Sequence, residues 1–248
     1  MTTKLKSTAK TSRNFKALDR LFTKFQKWID ENNNKAHHKQ IEYSGYMPPD
    51  EDFNIIRRGQ KKLVDEYIAY PVQQGEKELK QLVQYLLNHI GLDKALEIGL
   101  GRLGGTHVLF SLLFNQVCSV ESNSCRTTEV WEKNLNTGWL KERSSYIING
   151  DSRDKTTINE VYDTYGPHTF DFIYMDSAHD YMTLKKDYLN YKDLLKEGGV
   201  IAWHDILHRR YAVFEFLFDL RVGKIDGKYH NVYDICYSDT MGIGLIHL

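Results

Sequence analysis

Ala95-Leu-Glu-Ile-Gly-Leu-Gly-Arg-Leu-Gly-Gly-Thr106 is an apolar run that ends in an acid and breaks at once into closely spaced glycines. A strand that turns on glycine into a helix offers bare backbone at its carboxyl end, where a ligand can approach closer than any side chain permits. About twenty residues on, Gln116-Val-Cys-Ser-Val120 repeats the short apolar run and closes on Glu121, where a nucleoside-binding sheet carries an acid for two ribose hydroxyls. Together the two segments point to an α/β fold and a nucleoside-bearing ligand. They do not choose the ligand. Gly99, Gly101 and Gly104 satisfy a G-x-G-x-x-G spacing that suits dinucleotides and methyl donors equally.

From this segment onward, short apolar runs alternate with helical patterns. Strands are expected at Ala95–Ile98, Val117–Val120, Tyr146–Ile148, Phe170–Met175 and Val200–Trp203. Helices are expected near Thr106–Leu113, Thr127–Leu135, Thr157–Tyr165, Tyr181–Leu195 and Tyr211–Leu220. Five such units predict a parallel sheet with helices on both faces. Asn231–Tyr237 and Gly242–Leu248, joined by a polar Ser-Asp-Thr turn, read as a terminal antiparallel hairpin. The fold class is therefore a Rossmann-like, seven-stranded, mostly parallel sheet with an N-terminal helical extension.

That extension divides by composition. Residues 1–14 are polar, basic and predicted to be disordered. Residues 15–75 hold helical patterns at Phe15–Trp28 and Phe53–Tyr70, a polar connector with His37 and His38, and a Gly/Pro/aromatic loop with Tyr43, Tyr46 and Met47. A further helix, Glu76–Ile90, opens the domain assigned to 76–248, with Gly91 as its cap.

Lys plus Arg equals Asp plus Glu at 33 each, so no overall field favours nucleic acid or an anionic membrane. Three cysteines without metal-type spacing read as reduced thiols. No segment has the length of a membrane span and no leader pattern opens the chain. A soluble, cytoplasmic protein is expected, with no nucleic-acid or membrane partner; self-association into a homo-oligomer is left open.

The later strands end in chemistry-bearing residues rather than in a second nucleotide-binding half. Asp151-Ser152 follows the third strand, placed to meet an adenine edge; Asp176 and His179 follow the fourth; His204-Asp205 ends the fifth. Ligands collect at the carboxyl ends of such strands, and two carboxylates with an imidazole suit a divalent cation. Structural alternatives stand beside each reading. Glu97 either contacts the ligand or caps the glycine loop. His179 is either a general base, its ordinary pKa lying near neutrality, or a cap for the next helix. His204 and Asp205 either hold a metal or serve as hydrogen-bonding and capping groups.

Five motifs in order, Glu97-Ile-Gly-Leu-Gly, Ser119-Val-Glu121, Asn149-Gly-Asp-Ser152, Asp171-Phe-Ile-Tyr-Met-Asp-Ser-Ala-His-Asp-Tyr181 and Leu195-Lys-Glu-Gly-Gly-Val-Ile-Ala-Trp-His-Asp-Ile206, resemble the class I S-adenosylmethionine-dependent methyltransferases. The branch most like it is that of the macrocin O-methyltransferases and cephalosporin-hydroxylase-type proteins. The resemblance runs from about Leu96 to Leu248; residues 1–75 carry none. It implies transfer of a methyl group to a hydroxyl of a small molecule or sugar. Glu97, Gly99, Gly101, Glu121, Ser122, Asp151, Ser152 and Asp176 would hold the donor. It also implies a divalent cation, Mg²⁺, at Asp176, His204 and Asp205, with Asp176 and His179 as the catalytic pair. His204 departs from the harder ligand expected for Mg²⁺. Two other function classes remain, a non-catalytic donor-binding module and an NAD-dependent oxidoreductase.

Overall fold

The computed structural model describes residues 16–31, 74–100, 104–122, 144–237 and 240–248. Seven strands form one sheet: β1 (Lys94–Ile98), β2 (Gln116–Glu121), β3 (Ser144–Asn149), β4 (Phe170–Met175), β5 (Leu195–His204), β6 (Tyr233–Ile235) and β7 (Ile243–His247). Their order is β3-β2-β1-β4-β5-β7-β6. The first five are parallel, and β7 runs antiparallel to both β5 and β6. The expected Rossmann-like sheet with a terminal hairpin is what the chain forms. The helices are α1 (residues 16–31), α2 (Glu76–His89), α3 (Gly105–Leu113), α4 (Lys155–Tyr165), α5 (Tyr181–Tyr191) and α6 (Val213–Arg221).

Period-two alternation divides the core between the sheet's faces. In β4, Phe172 and Tyr174 pack with Leu82 and Leu86 of α2 and Phe110 and Phe114 of α3; in β5, Val200 and Ala202 join them. Ile173 and Met175 of β4, with Ile201 and Trp203 of β5, face the other way onto Tyr188 of α5 and Phe216 of α6. Because both faces are covered, every residue of β4 is buried. Helix α1 buries Leu21, Phe22, Phe25 and Trp28 against Leu79 and Val83 of α2 and Val108 and Leu109 of α3, the face that its sequence periodicity predicts.

The differences from expectation lie at element ends. Helix α5 stops at Tyr191 and is followed by a 3₁₀ turn, Lys192–Leu194, after which β5 starts at Leu195. The strand thus begins five residues before its apolar stretch, and its pairing with β4 shifts register between Phe170 and Phe172. Its opening Lys-Glu-Gly-Gly carries no apolar pattern to announce a strand. Helix α6 starts at Val213, two residues late, because Tyr211 is held in the turn before it. Gly91 is not the cap of α2: Ile90 takes that position in an extended conformation, and a side chain on Gly91 would meet Asp171 Oδ1 at 2.8 Å. The helices expected at 53–70 and 127–135, and His37, His38, Tyr43, Tyr46 and Met47, lie outside the described residues. No described helix is long and apolar enough to cross a membrane.

Candidate active site

The strand order reverses between β1 and β4, which opens a crevice at their carboxyl ends. There Asp176 N donates to Ile98 O at 2.8 Å and Gly99 N to Val120 O at 2.9 Å. Gly99 has φ +91°. A Cβ on it would overlap the Asp176 carbonyl oxygen and lie 2.9 Å from Ser177 Cα. Gly99 is therefore required by the crossing of two loops, a reason additional to ligand approach. Gly101 lies outside the described residues.

A cavity of about 470 Å³ lies over this crossing. One end is lined by Gly99, Glu121, Ser122, Asp151, Ser152 and Arg153; the other by Asp176, His179, His204, Asp205, His208 and Tyr211. At the first end, Glu121 Oε2 accepts from Leu100 N at 3.0 Å. Asp151 is clamped by Arg153, whose N, Nε and Nη2 reach it at 2.9, 2.8 and 2.5 Å; these hydrogen bonds pull its carboxyl down to about 2. The Ser152 hydroxyl donates to Asp187 Oδ1 at 2.7 Å, and Ser177 donates to Asp187 Oδ2 at 2.6 Å. Asp187 of α5 thus ties together the loops after β3 and β4, and Ser152 serves that tie.

Glu97 is not among the residues lining the cavity. It is fully buried, paired with the Thr106 hydroxyl and accepting from Ser119 Oγ at 2.5 Å; Ser119 also contacts His107 Nδ1 at 2.6 Å. Burial raises Glu97 to about 8 and lowers His107 to about 3, so at neutral pH both are uncharged and their 3.8 Å approach is not an ion pair. The contact role expected for Glu97 is corrected to an internal hydrogen-bonding one. Because its folded pKa lies above the ordinary carboxylate value, its stabilising contribution is complete at low pH and is lost as pH rises through about 8. Glu97→Gln cannot ionise. Its stability relative to wild type should therefore improve steadily between about pH 5 and pH 9, read by urea unfolding at each pH. A difference independent of pH would show that Glu97 does not titrate in the fold.

The second end is built by strand termini. His179 Nε2 lies 3.1 Å from Asp205 Oδ2 and 3.5 Å from Asp176 Oδ1, with no aligned hydrogen-bond partner although buried. Burial opposes charge on this ring, yet the two carboxylates raise its pKa to about 9. The expectation of an ionisation near neutrality is corrected accordingly: in this arrangement the imidazole is already protonated at pH 7. Asp180, not His179, caps α5, accepting from Thr183 N at 3.0 Å. His179 stacks on Tyr211 at 4.1 Å, and Tyr211 stacks on His208 at 3.7 Å. Asp205 has φ +64°, a conformation rare outside glycine, asparagine and aspartate.

Asp176, His179 and Asp205 each present a ligand atom within 4.8 Å of the others. Neighbouring ligands of an octahedral hard cation lie roughly 3 Å apart, close to the separations here, and the buried, unaligned His179 Nε2 is the kind of atom such an ion would satisfy. The residues fit a divalent cation. His204 does not join them. It is buried with Nδ1 3.1 Å from Asp205 Oδ1 and Nε2 3.2 Å from Glu78 Oε1. Against the opposing effect of burial, Asp176, Asp205 and Glu78 hold its pKa well above the ordinary histidine value. The group brought together here holds His179 where the sequence reading placed His204.

Four residues of the site were not anticipated: Gln74, Glu78, His208 and Tyr211. Gln74 Nε2 donates to Asp176 Oδ2 at 2.6 Å from about a hundred residues away, and no local pattern marks it. His208 and Tyr211 carry a signal in retrospect, an imidazole and an aromatic three apart just after a strand ending in His-Asp.

Residues 97–206, somewhat under half of the chain, match the family model described as a methyltransferase domain. Over those residues the chain is similar to that domain. No curated protein sequence matches it significantly. Among solved structures, a Staphylococcus aureus protein provisionally assigned as a caffeoyl-CoA O-methyltransferase is 18% identical with a TM-score of 0.56, covering 91% of this chain and 99% of that one. The Bacillus cereus O-methyltransferase in complex with SAH is 14% identical with a TM-score of 0.54, covering 90% and 100%. A Clostridium thermocellum protein provisionally assigned as an rRNA methylase is 13% identical with a TM-score of 0.53, covering 70% and 98%. At these identities the likeness establishes the fold alone. It does not select an acceptor.

Proposed function

We propose that this chain transfers the methyl group of S-adenosylmethionine to a hydroxyl of a small molecule or sugar, with a divalent cation held by Asp176, His179 and Asp205. The observation that carries the proposal is one cavity at the sheet's switch point, with Glu121 at one end and the Asp176–His179–Asp205 group at the other. Its volume is within the roughly 300–1,000 Å³ of small-molecule sites. Glu121 would accept from the ribose hydroxyls, Gly99 would leave room for the donor, and Asp151 and Ser152 would border the adenine.

Methyl transfer by displacement depends on holding donor carbon and acceptor oxygen in line, so the residues' chief work is positioning. A bound divalent cation would supply positive charge that lowers the pKa of an acceptor hydroxyl, whose proton would pass to solvent, and stabilises the resulting oxyanion. Mg²⁺ suits the two carboxylates, and the imidazole extends the set to Mn²⁺. Tyr211 stacks on the His179 ring while Ala212 N donates to His179 O at 2.9 Å, fixing its direction. Protonated without a cation and a ligand with one, His179 is free to act as a base in neither state; the general-base role gives way to cation binding.

Calorimetry with S-adenosylmethionine and its demethylated product tests the donor half. Glu121→Ala should weaken binding by about 1.5–3 kcal/mol, the worth of hydrogen bonds to a charged group. Absence of heat with either ligand, together with a signal from NAD, would overturn the reading. Donor binding without turnover across a panel of hydroxyl acceptors would leave a binding module.

A further inference from the structure

Each carboxylate in the Asp176–His179–Asp205 group has one oxygen held by the protein and the other turned toward His179. Gln74 Nε2 holds Asp176 Oδ2 at 2.6 Å, while Asp176 Oδ1 faces His179 Nε2 at 3.5 Å. His204 Nδ1 holds Asp205 Oδ1 at 3.1 Å, while Asp205 Oδ2 faces His179 Nε2 at 3.1 Å. The far nitrogen of His204 meets Glu78 Oε1 at 3.2 Å. Glu78 is itself anchored by backbone, Gly75 N donating to Oε1 at 2.8 Å and Gly242 N to Oε2 at 3.0 Å. Glu78 is 0% exposed and His204 3%, so neither contact is diluted by solvent. Gln74 and Glu78 precede β1, outside the segment that matches the methyltransferase domain.

We infer that Gln74, Glu78 and His204 are positioning residues that aim the Asp176 and Asp205 carboxylates at a divalent cation, with His204 itself outside the cation's ligand set. The inference rests on the cation reading proposed above. An imidazole with both nitrogens directed at carboxylates has no lone pair to give a metal. A donor on the distal oxygen of a ligating carboxylate fixes which oxygen faces the ion, and loss of such partners typically costs about 10–100-fold in metal affinity. His179 is in the opposite condition, with its buried Nε2 unaligned to any partner and turned to both carboxylates.

The test is Mn²⁺ binding to the purified full chain, with no donor or acceptor present. Electron paramagnetic resonance follows free Mn²⁺ for affinity and pulsed measurement detects the nitrogen of a directly bound imidazole. Wild type should bind Mn²⁺ and show that nitrogen coupling, and His179→Ala should lose the coupling. His204→Asn, whose amide keeps a donor near Asp205, should retain the coupling yet bind Mn²⁺ about tenfold more weakly, and His204→Leu more weakly still. Gln74→Met should cost about 10–100-fold with the coupling intact; it keeps the side chain's length at a position before the first turn of α2 and decides the matter if the His204 variants do not fold. Coupling that persists in His179→Ala, or wild-type affinity in Gln74→Met, overturns the inference while leaving the cation reading standing. A folded wild type that binds no Mn²⁺ overturns both.

Discussion

Replacing Gly99 with alanine should destabilise the protein by about 2–5 kcal/mol, combining the cost of a side chain at positive φ with that of overpacking. The second term dominates at this position. Its φ is +91° and the new Cβ would overlap the Asp176 carbonyl oxygen, backbone that cannot rotate away as a side chain can. Gly227 separates the two effects: its φ is +78°, yet nothing lies within 4 Å of a Cβ built there. Gly227→Ala should therefore cost only the conformational part, about 1–2 kcal/mol. Denaturant unfolding of both variants measures the difference. If the Gly99 variant were no less stable than the Gly227 variant, the crossing of the β1 and β4 loops would not be what demands glycine there. The same crowding should weaken cation binding, since it displaces the backbone that carries Asp176.

Much of the fold was legible because its signals are local. Phe170–Met175 reads as a strand and is one, to the residue, since five apolar or half-apolar residues interrupted only by Asp171 and bounded by polar ones have few other uses. The terminal hairpin reads equally well from two apolar runs around Ser-Asp-Thr. The insertion of β7 between β5 and β6 was not legible, because strand order depends on pairings between distant segments. Nor was the start of β5 at Leu195, because the strand then passes through residues 196–198, which bury little and fall in the register shift against β4.

At the candidate site, the strand-end rule gathers Asp176, His179, His204 and Asp205 with Glu121, Ser122, Asp151 and Ser152 around one cavity. What it missed was direction. His204 and Asp205 are adjacent and both border the cavity, yet one directs its far nitrogen to Glu78 of α2 and the other its carboxylate to His179. Glu97 pairs in register with Ser119 and turns its carboxyl to that residue and Thr106 rather than to the cavity. Which face a strand-end side chain takes is set by sheet parity and by what packs above it, and a linear motif records neither. Gln74 and Glu78 were hidden for a related reason. Gly75 and Glu78 read as an ordinary helix start, a role Glu78 does fill while its carboxylate also holds His204.

Asp205→Asn should reduce methyl transfer by about 10²–10⁴-fold, the rate equivalent of the several kcal/mol that a bound metal's charge supplies to a developing oxyanion. Asparagine is the informative replacement. At φ +64° it is tolerated where alanine would add strain, and its amide oxygen can still accept from His204 Nδ1, now 3.1 Å from Asp205 Oδ1. The substitution thus removes a charge and one ligand oxygen while leaving the turn intact. Donor affinity, for which Glu121 is the proposed contact, should stay near wild type by calorimetry. Exhaustive chelation of the wild-type enzyme should produce a loss of similar size, and added Mn²⁺ should restore the wild type far better than the variant. A chelated wild type that turns over at full rate would remove the cation from the reaction and leave Asp176, His179 and Asp205 as a purely electrostatic group. An Asp205→Asn variant that is fully active and still inhibited by chelation would instead place the ion elsewhere in the cavity, with Asp205 serving only the hydrogen bond to His204.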